Sequence, residues 1–185
     1  MRLNVEADKN AFERAEKLLA GIPGGITKAT SRALNRALQE GRTAATKEAT
    51  KRYTVKAKEV RPTFKMHKAS NSNLEADLTS TGENLPLSSF SHRPNTDTTG
   101  ARRKQVRVGV KKGGLKRLGQ GFIWKGRVMQ RLGESRLPVE QKYGLAVPVM
   151  LNNDDVVDVV METMEKSVEK RLEHETNRLL NGEGR

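Results

Sequence analysis

The chain has no cysteine, and its 185 residues include only three histidines, one tryptophan, two tyrosines and four phenylalanines. Without thiols there is no disulfide, no thiolate zinc site and no cysteine nucleophile. His67, His92 and His174 stand apart in the sequence, none with a second ligand at metal-binding spacing. Ser91-His92 lacks a third group to orient it, so nucleophilic hydrolysis has no machinery. The glycines from Gly109 to Gly114 lack the Gly-Lys-Ser/Thr ending of a phosphate-binding loop. No apolar run approaches the roughly 20 residues that cross a bilayer, and the residues after Met1 form no signal-peptide core. These absences lead us to expect an intracellular, soluble, non-enzymatic protein with no metal and no cofactor.

What is abundant is positive charge. Thirty-five Lys and Arg against twenty-two Asp and Glu give a net charge of +13. An excess of that size points to nucleic acid, an anionic membrane or an acidic protein. Its distribution is uneven, with thirteen basic and two acidic residues between 101 and 142, and five basic against nine acidic from 151 to 185. Arg102, Arg103, Lys104, Arg107, Lys111, Lys112, Lys116 and Arg117 fall on one expected hairpin and its lead-in, a ribbon suited to tracking phosphates or an acidic neighbour. Asp154, Asp155 and Asp158 sit where the last helix should start, a place where carboxylates favour the helix dipole. They also offer a counter-surface to the basic hairpin of another copy. The apolar content is 35% without its sixteen glycines, against roughly 45–50% counting glycine in an average domain. Such a lean core is one that assembly with other copies can complete.

Apolar periodicity organises the chain. Leu3 and Val5 flank Asn4 in a short strand, and Asp8 caps a helix whose inward face is Ala11, Phe12, Ala15, Leu18 and Leu19. A longer helix over about 26–53 turns Ala29, Ala33, Ala37 and Ala44 inward with Leu34 and Leu38, a slim stripe that permits close approach. Thr54 is read as the cap of a short helix ending before Pro62, and 64–80 as a half-buried strand. Residues 88–100 read as a polar loop or arm, extending to about 104. Val106, Val108 and Val110 alternate with Arg107, Gly109 and Lys111 as a strand. A last helix over about 153–180 carries the stripe Val156, Val160, Met164, Val168, Leu172 and Leu179. The expected fold class is α+β, an antiparallel sheet packed with a long N-terminal helix pair and a C-terminal helix, all in one domain over 1–185.

The most specifically shaped stretch is 121–150, GFIWKGRVMQRLGESRLPVEQKYGLAVPVM. Phe122-Ile123-Trp124, a Gly126 turn and 127–131 read as two strands joined by a tight loop. Pro138 and Pro148 belong at a sheet edge or the first turn of a helix. Trp124 beside Phe122 and Ile123 is expected in the core or at a subunit contact.

The order Phe-Ile, a basic turn, Arg131-x-Gly133, Arg136-Leu137-Pro138-Val139 and Tyr143-Gly144-Leu145-Ala146-Val147-Pro148-x-Met150 resembles the minor tail protein Z and tail-completion family of long-tailed bacteriophages. Ala33-Leu34-Asn35-Arg36-Ala37 and Gly82-x-x-x-Pro86-Leu87-x-x-Phe90 add to the likeness, which spans residues 26–151. The acidic last helix departs from it, since family members end in a more basic tail. The resemblance implies a structural virion protein at the head-proximal end of the tail, made in the host cytoplasm, close to the DNA path and to other tail and neck proteins. It also implies a homo-oligomeric ring, by tail symmetry a hexamer, with Phe122, Trp124, Pro138, Tyr143 and Pro148 shaping the subunit contact. The alternative that the basic residues leave open is a free-standing nucleic-acid-binding protein. A membrane-surface role lacks the basic amphipathic helix it would need.

Overall fold

Asp8 starts the first helix as its place before Ala11 requires, its carboxylate accepting the Ala11 amide at 3.1 Å. The computed structural model describes residues 1–97 and 105–182. In chain order the elements are β1 (Arg2–Val5), α1 (Lys9–Leu19), α2 (Gly25–Arg52), α3 (Ala57–Val60), β2 (Phe64–His67), β3 (Ala76–Ser80), β4 (Asn84–Pro86), β5 (Ser91–Arg93), β6 (Arg107–Gly109), β7 (Lys116–Arg117), β8 (Gly121–Trp124), β9 (Arg127–Arg131), β10 (Val139–Gln141), β11 (Tyr143–Ala146), α4 (Val147–Leu151) and α5 (Asp154–Leu180). The class is α+β, with four small antiparallel sheets in place of one. These elements fall into two compact units, one built from 1–46, 64–81 and the stretch from Asn152 on, the other from 47–63 and 82–151.

In the first unit β3 is the centre of a sheet ordered β1-β3-β2. Leu3 and Val5 of β1 and Ala76 and Leu78 of β3 are buried together on one face, as period-two alternation demands. The stretch read as one strand over 64–80 is two, β2 and β3, joined by a polar turn in which the Ser70 amide donates to the Asn73 carbonyl at 2.7 Å. Ala15, Leu19, Ala29, Ala33, Leu172 and Leu179 join α1, α2 and α5 in one apolar cluster. Charge clamps the rim: Arg32 reaches Glu175 at 3.1 Å and Arg171 reaches Glu40 at 3.4 Å. Two inward positions differ from expectation. Leu18 points outward, 58% exposed, and Ala45 and Ala49 are buried where Ala44 was expected. The buried row advances in steps of four, through Ala29, Ala33, Ala37, Gly41, Ala45 and Ala49.

The second unit holds the other three sheets. β8 and β9 are joined by Lys125-Gly126, with φ of 49° and 71°. A two-residue loop of left-handed residues matches the twist of the hairpin it closes, and glycine takes that conformation without strain. β10 pairs with β9, and β11 with β4. Pro148 lies in the first turn of α4, where its missing N–H costs nothing. The segment read as a loop from 88 takes in the end of a 3-10 turn, Leu87–Ser89, and the strand β5, Ser91–Arg93.

Candidate functional site

The basic excess belongs to one unit. Residues 47–63 and 82–151 contain twenty Lys and Arg against six acidic residues, a net +14, while the other unit is at −1. Within it, β5, β6 and β7 form an antiparallel sheet in that order. The register sets Arg93 opposite Arg107, and Arg107 opposite Arg117. Directly opposed residues of antiparallel strands project from the same face. The three guanidinium groups therefore share one rung, which spans about 10 Å at a strand spacing of ~4.8 Å. The adjacent rung is His92, Val108 and Lys116. Val108 is buried and His92 half-buried, so the sheet rests on that face, with Lys116 exposed on the edge strand, and the arginines project from the other. All three arginines are exposed, and among the described residues none has a carboxylate partner.

Backbone bonds, not charge, hold this sheet in place. The Thr54 amide donates to the Val110 carbonyl at 3.0 Å, and the Lys112 amide to the Arg52 carbonyl at 2.9 Å. The Thr54 hydroxyl donates to the Gly109 carbonyl and accepts the Ser91 amide at 3.0 Å. Thr54 is thus a pin between β5 and β6 and not the cap of α3, which starts after Lys56 without a side-chain cap. Asp97, an acid that follows β5, is already engaged. Its two oxygens accept the Lys125 and Gly126 amides of the β8–β9 turn at 3.1 and 3.2 Å.

Of the basic residues singled out in the sequence, Arg107, Lys116 and Arg117 lie on β6 and β7, and Lys111 and Lys112 in the loop between them, all exposed. Arg102, Arg103 and Lys104 lie outside the described residues. Arg93 was missed because its segment reads as a loop, and only its pairing with β6 reveals it.

Trp124 is not a core residue. It is 44% exposed, and Ile123 takes the inward place. Lys125 Nζ lies 4.9 Å from the Trp124 ring centre, and the Arg131 guanidinium 4.8 Å from that of half-buried Phe122. Tyr143 and Pro138 are exposed, as are Leu132 and Leu137 close by in the chain, and Pro148 is half-buried. Asp154, Asp155 and Asp158 are exposed in the first turns of α5, in the other unit. His92 Nδ1 is 2.9 Å from the Phe90 carbonyl, a contact that fixes its ring against its own strand.

A family model described as prophage minor tail protein Z (GPZ) matches residues 9–182. The chain belongs to this family. As a member of the minor tail protein Z family it is a structural component of a phage tail. The match extends beyond the residues that carry the resemblance in the sequence, taking in α1 and the acidic α5. No curated protein and no solved structure matches the chain. No helix among the described residues is long and apolar enough to cross a membrane.

Proposed function

We propose that this minor tail protein completes the head-proximal end of the tail as one of several copies in a ring, beside the path of the DNA and in contact with neck and tail neighbours. The observation that carries this reading is the unpaired arginine rung on a rigidly pinned sheet, within a unit of net +14. A surface of that charge repels itself until an anionic partner covers it. DNA and an acidic neighbour are the two partners that a tail end supplies. Exposed Trp124 and Tyr143, with Phe122, Pro138 and Pro148, supply stiff contact area for an adjacent copy. Asp154, Asp155 and Asp158 supply the opposite charge. The role is architectural, with no reaction to catalyse.

Imaging of purified particles that carry a tag on this chain tests the placement. Density at the junction between tail and head is the expected result. A tag along the tube or at the distal tip would overturn the placement. A chain absent from the particle, yet holding duplex DNA as a monomer at physiological salt, would favour the free-standing nucleic-acid binder that the basic excess also allows.

A further inference from the structure

We propose that Arg93, Arg107 and Arg117 form a binding rung for the sugar-phosphate backbone of nucleic acid, and that Lys111 and Lys112 extend it at the hairpin loop. The source of the nucleic acid rests on the placement above, whereas the chemistry of the rung does not.

Placing like charges on directly opposed strand positions opposes pairing, and here it occurs twice in succession, at Arg93–Arg107 and at Arg107–Arg117. The sheet tolerates it because Thr54, Arg52 and the buried Val106 and Val108 hold the strands by other means. Among the described residues no carboxylate offsets this cost, so the use of the arrangement lies outside the chain. All three positions carry guanidinium, whose planar fork of donors matches phosphate or carboxylate oxygens in pairs.

Two observations favour phosphate over the carboxylates of a protein. First, the neighbouring pair on the same face is Ser91 and Gly109, with half-buried Leu115 lying against Gly109 as the apolar side chain beside the rung. The centre of a protein interface is apolar and aromatic, and in this unit exposed apolar side chains stand elsewhere, at Trp124, Leu132, Leu137, Tyr143 and Val149. Second, three guanidinium groups on strands ~4.8 Å apart carry long, flexible stems and forked donors, so that each can meet its own phosphate along a backbone. Contacts of this kind fix a polyanion in place without reading its bases.

The test is fluorescence anisotropy of the full chain with a short labelled duplex of arbitrary sequence, titrated from about 50 to about 200 mM salt. Wild type is compared with R93Q/R107Q/R117Q and with R93K/R107K/R117K. Neutralising three phosphate contacts should lower the slope of log affinity against log salt by about 2.7, at roughly 0.9 per contact. The lysine variant should keep the slope, because an ammonium releases counterions as a guanidinium does. The glutamine variant should melt no lower than wild type, since a repulsion has been removed. Should the triple glutamine variant not fold, each single Arg→Gln change is expected to lower the slope by about 0.9.

An unchanged slope would overturn the proposal, as would a wild-type chain that ignores the duplex at about 50 mM salt. Poly-L-glutamate bound as tightly as the duplex would reassign the rung to an acidic protein. These results are separable from the placement. A chain imaged at the distal tip that still shows this salt slope loses its position and keeps its rung, and a chain imaged at the neck without the slope does the reverse.

Discussion

At Gly41 a single hydrogen sets how closely α2 and α5 can run. A Cβ there would lie 2.5 Å from the Met164 sulfur and 2.6 Å from its Cγ, and Met164 is fully buried. Glycine inside a helix costs about 1 kcal/mol relative to alanine, and the close approach explains why it is kept. Gly41→Ala should destabilise by about 1 kcal/mol, because overpacking by one methyl costs roughly 1–3 kcal/mol and exceeds the gain in helix propensity. In a Met164→Ala background the same change should stabilise instead. Urea melts of the four proteins check this, and the same sign in both backgrounds would remove the contact as the cause. The sequence shows the small-residue stripe plainly at Ala29, Ala33 and Ala37. It hides the continuation, because Gly41 interrupts the apolar pattern and draws the eye to Ala44 in place of Ala45. For Trp124 the sequence leaves core and subunit contact open, and the structure excludes the core. In a strand where Ile123 faces inward, its neighbour next to the turn must face outward, whatever its size.

Among the elements, β1 depends on one bidentate pair that titrates. Arg2 donates to both oxygens of Asp77 on β3, at 2.7 and 3.2 Å, two positions diagonal across the register. The hydrogen bond from the Arg2 guanidinium is the main reason that the Asp77 carboxyl ionises below its ordinary 3.8, with the positive charge of Arg2 adding to it. A carboxylate depressed in the folded state stabilises it above that ordinary value, and the contribution fades as pH falls through the lowered one. Asp77→Asn should therefore lower the urea midpoint near neutrality and make no difference once the pH is below the folded value. A gap between the two proteins that persists at the acid end would show that Asp77 acts through packing and not through its charge.

Elements of this kind were unevenly legible. The three long helices announce themselves because their stripes repeat over many turns, and the Val156-to-Leu179 row of α5 is buried throughout as its spacing indicates. Strands of two or three residues do not, since β5 is a strand only because β6 lies beside it. The arginine rung inherits that blindness. Arg107 and Arg117 are visible in the sequence as basic residues near a turn, but their alignment with Arg93 is a property of register.

For the whole molecule, the segregation of charge is the fact to test. All of the positive excess lies in one unit and α5 of the other is acidic. If the first turns of α5 dock on the basic hairpin of an adjacent copy, Asp155→Lys with Asp158→Lys should shift sedimentation toward smaller species, most clearly at low salt. Sedimentation unchanged from wild type would exclude that contact and leave the ring, if it forms, to the aromatic and proline-rich stretch.

The same division of the chain has a bearing on synthesis. The cationic unit is finished by Leu151, whereas the other unit draws its strands and helices from three separated stretches and lacks its longest core stripe until α5 has been translated. Domains fold as their residues emerge. A nascent chain would thus carry a complete cationic body while the last helix of the other unit is still inside the ribosome, and no simple cut from either terminus can isolate one body without dismantling the other.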